Sequence, residues 1–371
     1  MSVRLSRILL ALALVALHSV AVAATAVHNI SGYTSTDDGI VKFNVIVFGD
    51  DGRIIAVGDD SLLEKHAEAS RIDGGGRAVL PGLTDAHAHV TSLGFLETQA
   101  NVMGIDTLEG TTAEIRRFAE DNPGAPWILG RGWNQVLWES NEFPTAADLD
   151  AAVADRPAWL RRVDGHAGWA NSAALKVSGI DRDTPDPVGG KIIRDDNGDA
   201  TGVLIDTAME LVSKHVPQPD KTSTRAAVRA AANVMLSEGI TSVHDAGTGV
   251  LEAEVFMAMA DDGELDVRIY AMTAGADDVL DAIGEPIVAY GNDRLDIRSV
   301  KLYSDGALGS RGAAMIEPYS DDAENRGLAF WTQDELDAMV AKANGMGFQV
   351  GIHAIGDLGN RMSLNAFEKV Q

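Results

Sequence analysis

Hydrophobic and polar positions follow two different rhythms along the chain. Between about residues 25 and 80, short apolar stretches alternate with polar positions and are cut by turn residues. Val41–Phe48 alternates and then runs apolar, Gly49-Asp50-Asp51-Gly52 is turn chemistry, and Arg53–Gly58 predicts the returning strand of a hairpin. Gly74-Gly75-Gly76 has no phosphate-loop lysine and no helix after it, so it predicts a bend rather than an anion cradle. Residues 25–80 are expected to form part of a small β-sandwich.

A second rhythm starts with Arg77–Thr84, which reads as one strand. Four later segments are short and apolar, each preceded by a helix-like or turn stretch: Ile240–Val243, Val267–Met272, Ile297–Tyr303 and Phe348–Ile352. They predict buried parallel strands. Thr222–Glu238 is alanine-rich with helical spacing and ends at Gly239, a good C-cap, and Thr332–Gly345 behaves similarly. Strand alternating with helix predicts a parallel α/β fold, and a barrel or a doubly wound sheet fits equally well. The roughly 150 residues from His89 to Gly239 far exceed an ordinary strand-to-helix connection and predict an insertion, about 95–230. Five of the six tryptophans fall in it: Trp127, Trp133, Trp138, Trp159 and Trp169. They make either the insertion's own core or a lid that lends aromatic surface to a substrate pocket.

Composition narrows the function. The 371 residues allow two or three domains, or one large barrel with insertions, and 46% hydrophobic with 23% charged residues is ordinary globular composition. A formal charge of -25 repels phosphate and argues against a nucleic-acid partner. The absence of cysteine removes disulfides, thiolate zinc sites and a thiol nucleophile, so any metal must be held by histidine, carboxylate or a modified side chain. Arg4 and Arg7, the apolar run Ile8–Leu17 and the small-residue site Ala21-Val22-Ala23 predict a signal peptide over residues 1–24, with an uncleaved anchor as the alternative. The mature protein is expected to be exported, periplasmic or secreted, with no membrane partner after cleavage.

Candidate chemistry sits at strand ends. His87 and His89 lie two residues apart, and in extended chain such residues project to one face, where two imidazoles can chelate one divalent ion. His353 closes the apolar strand that contains Val350-Gly351-Ile352. Lys301 lies inside an apolar strand, where a lysine must snorkel, pair with a carboxylate or lose its charge; carboxylation by carbon dioxide would turn it into an anionic ligand.

Pro81–His89 resembles the metal motif of the amidohydrolase superfamily. Val163–His166 with Asn171–Leu175, Gly239–Asp245, Lys301–Gly306 with Gly309-Ser310-Arg311, and His353–Asp357 resemble its YtcJ-like branch, amidohydrolase family 3, which includes N-substituted formamide deformylase. The resemblance runs from about residue 40 to the last residue. It implies a (β/α)8 TIM barrel with an appended β-sandwich, in which His87, His89, Lys301 and His353 bind one or two divalent ions, zinc by expectation. His166, His244 and Arg311 become candidate substrate contacts. The two histidines could equally serve support or packing, and the arginine a surface ion pair.

The implied reaction is hydrolysis of a non-peptide, amide-type carbon–nitrogen bond in a small molecule by metal-activated water. An ester or lactone hydrolase and an inactive homologue are the alternatives, and self-association into a homo-oligomer is left open. The family also uses a histidine after its sixth strand and an aspartate base after its eighth. Both fall beyond Gln371, so the 81–371 region is expected to hold about strands one to five of an incomplete barrel. Such a fragment is expected to be inactive by itself, with open parallel edges prone to aggregation.

Overall fold

The computed structural model describes residues 24–275, 277–308 and 311–371. Most of the expected signal peptide, residues 1–23, and the Gly309-Ser310 part of one motif lie outside the described residues. The chain divides into two compact units, Met1–Gly82 and Leu83–Gln371.

The first unit holds two small sheets. One runs in the order Ile54–Gly58, Val45–Gly49, Ala24–His28, Ser70–Asp73, and the other Gly39–Phe43, Ser31–Thr36, Ala78–Val79. The expected hairpin is present, with Val45 opposite Gly58 and Ile46 opposite Val57. The run from Val41 is not one strand. It breaks at Asn44, because the chain changes sheets there, and the Phe43 ring fills the space over Gly32, where an added Cβ would meet it at 2.2 Å. Gly75 and Gly76 adopt φ of 62° and 75°, the left-handed bend that glycine tolerates.

Five strands organise the second unit: β1 (Leu83–Ala88), β2 (Ile240–Thr248), β3 (Arg268–Ala274), β4 (Leu295–Tyr303) and β5 (Gln349–His353). They pair in chain order, all parallel. Ile287–Ala289 adds one antiparallel pairing, at Ile297 of β4. The four later strands lie where the apolar runs put them, and β1 does not. Ala78–Val79 belongs to the first unit's small sheet, and a new strand opens only at Leu83. Pro81 has no N–H to give a ladder, so the chain leaves one sheet and joins another across Leu80–Gly82. Asp85 and His87 therefore stand within the strand rather than after it.

Helices cover one face of this sheet. α1 (Val90–Glu97), α2 (Lys221–Ser237) and α3 (Val250–Asp261) contribute Val90, Val228, Ala231 and Phe256 to a core shared with Val243, Ile269, Ala271 and Ile297 of the strands. α4 (Gln333–Gly345) and α5 (Asp357–Val370) supply Leu336, Val340 and Met362 against Val300 and Leu302. α2 starts in a capping box: the Asp220 carboxylate accepts the Ser223 N–H at 2.8 Å, and the Ser223 hydroxyl oxygen accepts the Asp220 N–H at 2.9 Å. The helix ends where Gly239 takes φ 78°. α1 crosses α2 so closely that a Cβ on Gly94 would lie 1.8 Å from the Ala227 carbonyl oxygen.

The insertion has a sheet of its own, in the order Gly190–Arg194, Ala200–Asp206, Ala167–Ala170, Ala158–Arg162, Ile128–Trp133, Ala100–Asn101. All five tryptophans are buried in its two hydrophobic clusters, Trp133, Trp138 and Trp169 in one, Trp127 and Trp159 in the other. Trp133 donates its indole N–H to the Leu160 carbonyl at 2.9 Å. They are the insertion's core. Among the described residues no helix is long and apolar enough to cross a membrane.

Candidate metal centre

Parallel strands bring their C-terminal ends to one edge of a sheet, the edge where such folds bind ligands. His87 is the penultimate residue of β1, and His89 follows directly as the cap of α1. Lys301 lies on β4, in register with Ala274 of β3 and Gly351 of β5. His353 ends β5 opposite Tyr303. The His87 and His89 rings stand edge to face with centroids 5.7 Å apart. The His353 ring lies 5.5 Å from that of Tyr303, and the Lys301 amine lies 5.0 Å from the same Tyr303 ring.

Electrostatics ties these groups into one cluster. The His87 pKa is held below its ordinary value first by the Lys301 charge, then by burial and by His89, with His353 adding to the effect and Asp85 opposing it. Lys301 is 6% exposed, and burial alone lowers its pKa. Among the described residues no carboxylate pairs with its amine, so the salt bridge open to a buried lysine is not made. As placed, no three His, Asp or Glu side chains among the described residues stand close enough to hold an ion. The arrangement is thus an electrostatic cluster rather than a closed coordination shell.

The donor set nevertheless fits a divalent cation. The Lys301 charge and burial disfavour the protonated form of His87, and burial disfavours that of Lys301. Metal ligands must be deprotonated, and the shifts at His87 and Lys301 run in that direction.

Two buried aspartates fix the loops that carry the histidines. Asp245, on β2, accepts the Val90 N–H at 2.7 Å and the Thr248 hydroxyl at 2.5 Å. It thereby satisfies the first N–H of α1, one residue after His89. Burial raises its pKa against the pull of those hydrogen bonds. Asp305, 1% exposed, accepts the N–H groups of Ala314 at 2.8 Å, Ile355 at 2.9 Å and Gly356 at 2.7 Å. The last two belong to the loop after His353, and Ser304 donates both its N–H and its hydroxyl to the His353 carbonyl at 2.8 Å. Sequence reasoning assigned neither aspartate a role. The signal for Asp245 was present in strand period: it follows the His244 position and so faces the helices with Val243, where a lone carboxylate needs backbone donors.

The remaining candidates fall in different places. His244 stacks on Tyr270 of β3 at 4.7 Å, and the Arg298 guanidinium lies 5.4 Å from the Tyr270 centroid. His166 stands on the insertion, largely exposed, with its Nδ1 2.8 Å from Asp206 Oδ1. That aspartate takes an unusual φ of 49°. Arg311 donates to Asp321 at 2.7 Å on the surface, so the ion-pair reading describes it, and that pairing raises its pKa.

Comparison with known proteins identifies the family. The amidohydrolase family model Amidohydro_3 matches residues 71–371. YtcJ of Bacillus subtilis is 32% identical over 91% of this chain and 64% of its own length. The N-substituted formamide deformylase of Arthrobacter pascens is 27% identical over 88% of this chain and 62% of its own. The chain therefore spans under two thirds of the length of these relatives. The crystal structure of an uncharacterized metal-dependent hydrolase from Pyrococcus furiosus superposes with a TM-score of 0.75 at 26% identity, over 94% of this chain and 70% of that one. By the family match over most of its length, this chain is a member of the amidohydrolase family.

Proposed function

We propose that the chain carries the metal-binding part of a hydrolase that cleaves a non-peptide, amide-type carbon–nitrogen bond in a small molecule. The observation that carries this reading is the convergence of His87, His89, Lys301 and His353 at the C-terminal edge of one parallel sheet. The similarity to a formamide deformylase favours the carbon–nitrogen bond.

In this reading the five parallel strands are the first five of a (β/α)8 barrel, and residues 25–80 are its β-sandwich part. His87 and His89 would hold one divalent ion, zinc, and His353 would hold a second. Lys301 would become an anionic ligand once its amine took up carbon dioxide, a step favoured by the burial that lowers its pKa. A divalent ion bound there would supply Lewis acidity, lowering the pKa of a bound water toward neutrality and polarising a carbonyl oxygen. Asp245 and Asp305 keep the two histidine loops from drifting. His244 and His166 orient the substrate from the sheet and from the insertion. The signal peptide directs the protein to the periplasm or the medium.

The test is hydrolysis by the native gene product, stripped with chelator and then reloaded with zinc. It is assayed on a panel of N-substituted formamides beside esters and lactones of matched size. Metal-restored cleavage of the amides is expected. Cleavage of the esters alone would move the reading to ester hydrolysis, and no turnover of any member with metal bound would overturn it.

A further inference from the structure

A cavity of about 620 Å³ lies away from the histidine cluster. Its walls include Phe95, Phe118, Trp127 and Trp159, together with Gln99 and Arg161. One helix relates it to the candidate metal centre. His89 caps the start of α1, whereas Phe95 lies on its last turns and Gln99 just beyond its end. At a rise of about 1.5 Å per residue, Phe95 stands roughly 9 Å further along the helix than His89. None of His87, His89, Lys301 and His353 lines the cavity.

The polar groups of the cavity are the informative ones. Arg161 is exposed on its strand, and its guanidinium donates a long 3.5 Å hydrogen bond to the Gly165 carbonyl. Among the described residues no carboxylate pairs with it. Asp220, the acidic residue of the lining, is engaged in capping α2. Tryptophan and phenylalanine faces take flat rings, and a guanidinium takes a carboxylate through two parallel N–H bonds. The chain's negative charge does not cancel this preference. At physiological salt, charges beyond about 8 Å are largely screened, so the local guanidinium decides.

We infer that this cavity is a binding site for a flat aromatic carboxylate, with the ring between the aromatic walls and the carboxylate on Arg161. The inference goes beyond the hydrolase reading and does not depend on it, because no metal-cluster residue takes part.

Calorimetric titration of the full chain with 2-naphthoate tests it, with 2-naphthylmethanol as the uncharged probe. Saturable binding of naphthoate at one site is expected. Arg161→Gln changes an exposed side chain, so the fold is retained. It should weaken naphthoate about ten-fold or more, the scale of a lost charge-assisted hydrogen bond, while leaving the alcohol within about two-fold. Ala226→Trp, an exposed lining position on α2, should fill the space and abolish binding of both probes. Circular dichroism and thermal melting verify that each variant is folded. Absence of saturable naphthoate binding to the unmodified chain would overturn the inference. So would equal naphthoate affinity in Arg161→Gln, or full binding in a folded Ala226→Trp.

Discussion

Asp245 Oδ1 accepts the backbone N–H of Val90 at 2.7 Å, joining β2 to the first residue of the helix that follows His89. The bond spans 155 residues of sequence and is buried. It makes the direction in which His89 leaves the strand depend on a carboxylate of the neighbouring strand.

Replacing Asp245 with alanine leaves the Val90 N–H and the Thr248 hydroxyl without their acceptor in a buried place. A loss of about 1–3 kcal/mol in stability is expected from each unsatisfied group, and urea denaturation reads it. Asp245→Asn keeps an acceptor and should recover part of the loss. Its effect should depend on pH, because burial raises the Asp245 pKa. Between about pH 3.9, where the unfolded carboxyl ionises, and the raised folded value, the folded state holds the extra proton, so stability contributed by this group falls as pH rises. The asparagine variant should lose that slope.

Asp305 makes a parallel case at the other end of the site. Asp305→Ala strips acceptors from Ala314, Ile355 and Gly356. A cost of at least about 3 kcal/mol is expected, together with faster hydrogen exchange at Ile355 and Gly356. Unchanged protection at those two amides would refute its clamping role.

The His87 pKa lies below the ordinary value chiefly because of Lys301. In metal-free protein, Lys301→Met should raise it, read from the histidine ring protons by NMR. The sign for stability follows: folded His87 protonates less readily than unfolded His87. Its contribution is therefore full above about pH 6.5 and is lost as pH falls through the depressed folded value. Lys301→Met should shrink that acid-side loss.

Trp133 is fully buried in the insertion and donates its indole N–H to Leu160. Trp133→Ala should cost about 3–5 kcal/mol through the cavity it leaves. A small effect on stability would return this tryptophan to the role of a lid.

Strands β2 to β5 were legible because helices bury one face of each, and their apolar runs reflect that. The end of α2 at Gly239 is local chemistry and was legible, whereas its Asp220 capping box was not read. What misled was continuity. Val41–Phe48 and Arg77–Thr84 look like single strands, yet each is shared between two sheets, at Asn44 and around Pro81. The six-stranded sheet of the insertion was hidden for another reason: Ile128–Trp133 with Ala158–Arg162, Ala100–Asn101 with Ile128–Trp133, and Ala167–Ala170 with Ala200–Asp206 pair across long stretches of sequence. His87 and His89 announced themselves by spacing. Asp245 and Asp305 did not, because their role lies in backbone donors supplied by distant loops.

His87, His89, Lys301 and His353 are proposed to act on a common cation. The most direct test is elemental analysis of the purified protein after chelator stripping and equilibration with zinc, beside His87→Ala/His89→Ala and His353→Ala variants. Retention of at least one zinc per chain by the unmodified protein, with loss in the double variant and reduction in His353→Ala, is the expected result. Equal zinc content in all three would contradict the account.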